Sequence, residues 1–166
     1  MGNKQDVLVS IKHRVWQDPI YFLAFGFGTG LFRRAPGTWG TLAGVMVYLT
    51  IAHLSLPIYI FFTLLAFFIG VFLCDKVSRG LQVHDYPGIV WDEVVGYLLT
   101  MTGVPLRLSW MVWGFLLFRL FDIWKPAPIG FIDKRVRGGL GIMLDDVIAA
   151  IPAWFILHLF IWIFES

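Results

Sequence analysis

The sequence predicts an all-α integral membrane protein: a compact bundle of about four to five transmembrane helices, with an N-terminal segment that lies in the interface or re-enters it. Three observations predict it. The 166-residue chain is 58% hydrophobic, 17% aromatic and only 14% charged, whereas soluble domains are about a quarter charged. Two apolar runs reach the length that crosses a bilayer core. The basic residues fall between apolar runs in an order that puts nearly all of them on one side. One domain spanning residues 1–166 is expected, because no repeat, low-complexity tract or linker interrupts it. A net charge of +2 with scattered Lys and Arg excludes a nucleic-acid partner, and the single Cys74 excludes an internal disulfide.

Taken in chain order, the start places Lys4, Lys12 and Arg14 ahead of an apolar stretch, which mimics a signal peptide. That stretch is interrupted by glycine and followed by RRAPG where small residues should precede a cleavage site, so no cleavage is expected. Pro19 to Phe32 (PIYFLAFGFGTGLF) is too short to span and reads as the interfacial or re-entrant segment. Trp39 to Leu54 is a shortish first span. Leu56 to Cys74 is the second, with Pro57 at its start, where proline is tolerated. The apolar region Val94 to Phe121 is broken by TGVPLR, so it reads as two short spans turned back on each other, Val94 to Met101 and Leu108 to Phe121. Val147 to Phe164 is the last, with Pro152 one turn inside.

With the N-terminus inside, this order puts every basic residue except Arg107 on the cytoplasmic side. Asp75, Asp85, Asp92, Glu93, Asp122, Asp133, Asp145 and Asp146 come out there too. A site carrying both signs of charge is therefore expected at headgroup depth of the inner leaflet.

Two acidic pairs open membrane helices on that side: Asp92 and Glu93 after the turn Pro87-Gly88, and Asp145 and Asp146 in IMLDD. Each pair alone is explained by a helix dipole. Four carboxylates together beside low dielectric repel one another unless a cation neutralises them. Oxygen donors without a Cys or His cluster favour Mg2+ over zinc, which makes Asp92, Glu93, Asp145 and Asp146 the candidate metal ligands. In FRLFDIWKPAPIG, Arg119, Asp122 and Lys125 follow one another at spacings of three. Arg119 and Asp122 sit inside an apolar run, where ionisable groups are costly and usually functional. Phosphate would use Arg, Lys and metal together, and the glycines of GGLG would let backbone amides approach it. Asp122 is open between further ligand, general base and simple partner of Arg119. Lys134, Arg135 and Arg137 read as snorkelling interfacial charges. Cys74 and Arg79 miss the spacing of a cysteine-phosphatase cradle, and no D-x-D-x-T or D-G-x2-A-R motif is present.

GFGTGL, PGTWG, VHD with IVWDE, FRLFDIWKPAPI and GGLGIMLDD together resemble the bacterial phosphatidylglycerophosphatase A family, from about Gly26 to Ala149. Two departures stand out: Thr41 where the pattern has Ser, and Arg33-Arg34 in a loop otherwise more apolar. The resemblance implies a magnesium-dependent enzyme of the bacterial inner membrane. It would remove the terminal phosphate of phosphatidylglycerophosphate at the cytoplasmic face, yielding phosphatidylglycerol in phospholipid biosynthesis. On that expectation Asp92, Glu93, Asp122, Asp145 and Asp146 are catalytic, and Arg119 and Lys125 grip the phosphoryl oxygens. The nucleophile is either a water activated at the metal or one of the acids. His84 and Asp85 are supporting residues. The competing expectations are a membrane scaffold or transporter using these charges as ion pairs, and a phosphatase for another lipid phosphate.

Overall fold

The structure, a computed structural model, describes residues 4–83, 86–124 and 138–165. The described residues form seven α-helices and no strand: α1 (Lys4–Gln17), α2 (Pro19–Ala24), α3 (Pro36–Ile51), α4 (Leu56–Leu81), α5 (Trp91–Thr100), α6 (Leu108–Trp124) and α7 (Gly139–Glu165). A single 3-10 turn, Thr29–Leu31, lies between α2 and α3.

Local chemistry starts several of them. Asp18 caps α2 by accepting from Ile20 N–H at 2.9 Å, and Pro19, Pro36 and Pro57 occupy first-turn positions of α2, α3 and α4, where a missing N–H costs nothing. α4 stops where Gln82 turns left-handed and its N–H returns to the Arg79 and Ser78 carbonyls.

Among the described residues, α4 and α7 are the two helices long and apolar enough to cross a membrane. Only 22% of the apolar window of each is buried, so their greasy faces need a non-aqueous surrounding, which the inside of this small bundle does not provide. On α4 those exposed side chains include Phe61, Leu65, Phe68 and Phe72.

The short α5 is the axis of the bundle. It packs against α3, α4, α6 and α7, and seven of its ten residues are buried. A helix apolar on nearly every side belongs inside such a ring. Below its first turns, Tyr48, Tyr59 and Tyr97 meet edge to face at centroid separations of 6.1 to 6.2 Å. Each hydroxyl donates to a backbone carbonyl: Tyr59 to Leu98 at 2.7 Å, Tyr97 to Met111 at 3.2 Å and Tyr48 to Val104 at 3.4 Å.

Most helix boundaries differ from the sequence reading by a few residues, and three differences are larger or bear on the site. α4 runs on past Cys74 to Leu81, because DKVSRGL continues the helix with an Asp75–Arg79 pair at 3.0 Å. α7 begins at Gly139, so Asp145 and Asp146 lie in its second turn instead of at its mouth, and the helix carries Pro152 without interruption. The segment ahead of Pro19 is helical, an element that the mixed apolar and basic pattern did not suggest. At the far end of the bundle Arg107 Nη1 and Trp110 Nε1 both donate to Glu165 Oε1, at 2.9 and 2.6 Å. The break between α5 and α6 and the end of α7 thus lie side by side.

Candidate active site

At the opposite end, four helices deliver polar residues to one place. α5 brings Asp92 and Glu93 in its first turn, α6 brings Arg119 and Asp122 near its end, and α7 brings Asp145 and Asp146. α3 brings its N-terminal turn. A Cβ on Gly37 would crowd Glu93 Oε1 and Arg119 Nη1, so a side chain there would push this pair out of its present position.

The acids sort into two groups: Asp92, Glu93 and Asp146, and Asp122, Asp145 and Asp146. In each, one carboxylate oxygen per residue lies within 4.8 Å of the others. Asp92 and Glu93 stay together in the first group and Asp145 and Asp146 in the second, with Asp146 common to both. Neighbouring residues on a helix point about 100° apart, so Asp145 turns towards Asp122 while Asp146 stands between both groups. Asp122, Asp145 and Asp146 are 9%, 6% and 3% exposed.

Arg119 Nη1 ion-pairs with Asp122 Oδ2 and lies 3.7 Å from Glu93 Oε1. Asp122 accordingly holds two of its anticipated positions at once, beside Arg119 and among the acids. Among the described residues, Glu93 Oε2, Asp146 Oδ2 and Arg119 Nε are buried without a hydrogen-bond partner. Such atoms are costly unless something else engages them. Ionised together, these acids demand a cation. Carboxylate oxygens clustered with no sulfur or imidazole among the described residues fit a hard divalent ion such as magnesium.

Six residues singled out in the sequence thus converge: Asp92, Glu93, Arg119, Asp122, Asp145 and Asp146. Lys125, His84, Asp85, Lys134, Arg135 and Arg137 lie outside the described residues. Of the GGLG glycines, Gly139 donates its N–H to Asp75 Oδ1 at 3.4 Å. Gly37 was missed. Its signal was the stripe Gly37, Gly40 and Gly44, all buried on one face of α3, a spacing of small residues that marks close helix contact.

The profile of the family described as Phosphatidylglycerophosphatase A matches residues 22–161. A Haemophilus influenzae protein named Phosphatidylglycerophosphatase A is 46% identical over 138 residues, 82% of this chain and 85% of that protein. An Escherichia coli protein of the same name is 39% identical over 142 residues, 85% of this chain and 83% of that protein. No solved structure matches the chain.

Proposed function

The chain belongs to the phosphatidylglycerophosphatase A family, and from that membership we propose that it hydrolyses the terminal phosphate monoester of phosphatidylglycerophosphate, with magnesium, at the cytoplasmic face of a bacterial inner membrane. The observation that carries this reading is the sharing of buried Asp146 by two carboxylate groups beside Arg119. Asp92, Glu93, Asp145 and Asp146 would hold one or two magnesium ions, with Asp122 completing the second group. When bound, the metal neutralises the acids and polarises a phosphoryl oxygen.

The protein's own groups do the positioning. Arg119 is held by Asp122 and Glu93 on one edge of its guanidinium and keeps Nε for a phosphoryl oxygen. Gly37 keeps that surface open, because any side chain there would occupy the space beside Glu93 and Arg119. In the reaction a P–O bond forms to water, the bond to the glycerol oxygen breaks in line with it, and that oxygen takes a proton. Charge fixed in advance around the phosphoryl group supplies the large barrier reduction that monoester hydrolysis requires. α3, α5 and α6 lie in the bilayer with α4 and α7, giving five passes, and α1 and α2 rest at the cytoplasmic interface.

The test is phosphate release by purified protein in mixed micelles of phosphatidylglycerophosphate. Release that stops with excess EDTA and returns with magnesium supports the reading. No release with magnesium from folded protein overturns it, and release from an unrelated lipid phosphate instead reassigns the substrate.

A further inference from the structure

Beside the carboxylate centre lies an open groove of about 1,090 Å³ between α1, the GFGTGL loop and the turn at Pro87-Gly88. Its lining is largely apolar and includes Trp16, Phe27 and Tyr86, and two cations, Lys12 and Arg33, stand in it. Among the described residues neither cation has an ion-pair partner, whereas Arg79, Arg107 and Arg119 are all paired.

Both walls lead directly into the site. One passes from Arg33 to Pro36, the first residue of α3, next to Gly37. The other passes from Tyr86 to Gly88 and on into α5, which carries Asp92 and Glu93. The walls are fastened together, because a Cβ on Gly30 would lie 2.0 Å from the Gly88 carbonyl oxygen. Ring contacts from Trp16 to Phe22, Phe22 to Phe27 and Phe27 to Trp91, at 5.7 to 5.9 Å, tie α1 to the first residue of α5.

We propose that this groove is the subsite for the phosphodiester of the lipid substrate, with Lys12 and Arg33 binding its charge. The inference rests on the reading under Proposed function and deepens it. A lipid with a phosphate monoester at one end of a glycerol and a phosphodiester at the other presents two anions separated by no more than the three carbons of that glycerol. The carboxylate centre with Arg119 takes the first. The second needs cations at a neighbouring position and an apolar surface where the diacylglycerol begins, and the groove offers both. Lys12 and Arg33 are specificity-determining residues on this account: they select a diester-bearing lipid and touch no reacting atom.

The experiment uses the full chain in micelles with three probes: phosphatidylglycerophosphate as substrate, phosphatidylglycerol as an inhibitor carrying only the diester, and inorganic phosphate as an inhibitor carrying only the other half. The double variant Lys12→Gln/Arg33→Gln should raise KM for the substrate and Ki for phosphatidylglycerol about tenfold, with kcat and the phosphate Ki unchanged. Lys12→Arg/Arg33→Lys should restore both constants, and Arg34→Gln, an exposed neighbour that does not line the groove, should alter none. A double variant in which all constants move together, or none does, overturns the proposal, as does an equal effect of Arg34→Gln. If the wild-type protein releases no phosphate from the lipid, it is the proposed function that fails. The groove is then judged by native mass spectrometry: preferential retention of phosphatidylglycerol over phosphatidylcholine, lost in the double variant, supports it, and equal retention overturns it.

Discussion

Asp146 occupies the position on which the site depends most, because both carboxylate groups include it and it is almost fully buried. Removing its charge would deprive two ligand sets at once, whereas losing Asp92 or Asp122 leaves one set complete. Asp146→Asn should insert and fold, yet lower phosphate release at least about a hundredfold and abolish any rise in melting temperature on adding magnesium. Asp75→Asn is the matched control. Its carboxylate lies at the same end of the bundle, paired with Arg79 and the Gly139 amide, but in neither group, so it should retain activity and the magnesium response. At this scale the acids were legible in the sequence, because ionisable groups beside apolar runs are costly and so conspicuous. Their grouping was not. Which of two adjacent acids faces which helix depends on where the helix starts, and the start at Gly139 is set by packing against α4.

Among the elements, α7 joins the two ends of the molecule, with the acids in its second turn and Glu165 at its last residue. The Glu165 carboxylate accepts from Arg107 and Trp110, and the Arg107 side chain is 63% exposed. A pair this wet contributes about 1 kcal/mol or less. Glu165→Gln should therefore lower the melting temperature in detergent only slightly and leave phosphate release within about twofold of wild type. A collapse of activity would mean that the far end controls the site. The long apolar helices could be read directly, since length and hydropathy alone identify them. α5 is legible as a short span, but its central position is hidden, because a run buried by neighbouring helices looks the same as one buried by lipid. α1 escaped notice for a related reason. Its apolar residues Ile11 and Val15 are buried and four apart, but Lys12, His13 and Arg14 between them mask the period.

For the molecule as a whole, the proposed arrangement puts the acids, Arg79 and the groove on one side of the membrane and Arg107 on the other. In a Cys74→Ser background, a cysteine at Arg79→Cys should react with an impermeant maleimide in inside-out vesicles, and one at Arg107→Cys only in intact spheroplasts. The opposite pattern would reverse the orientation, and labelling of both from one side would refute the multi-pass arrangement. The substrate could not have been reached from composition or spacing. It came from the motif set and the relatives that share it, whereas the geometry explains why such a site works.

The three interlocked tyrosines beneath the site bear on a different problem. In the proposed location the surrounding membrane would store a proton gradient, and a pocket of ionised groups sunk into it would be a hazard to that store. Tyr48, Tyr59 and Tyr97 each donate the hydroxyl proton to a main-chain oxygen and not to one another, so these three hydroxyls do not form a donor-to-acceptor chain. In the membrane arrangement proposed above, this layer of aromatic rings would serve as an insulating plug beneath the charged end of the bundle.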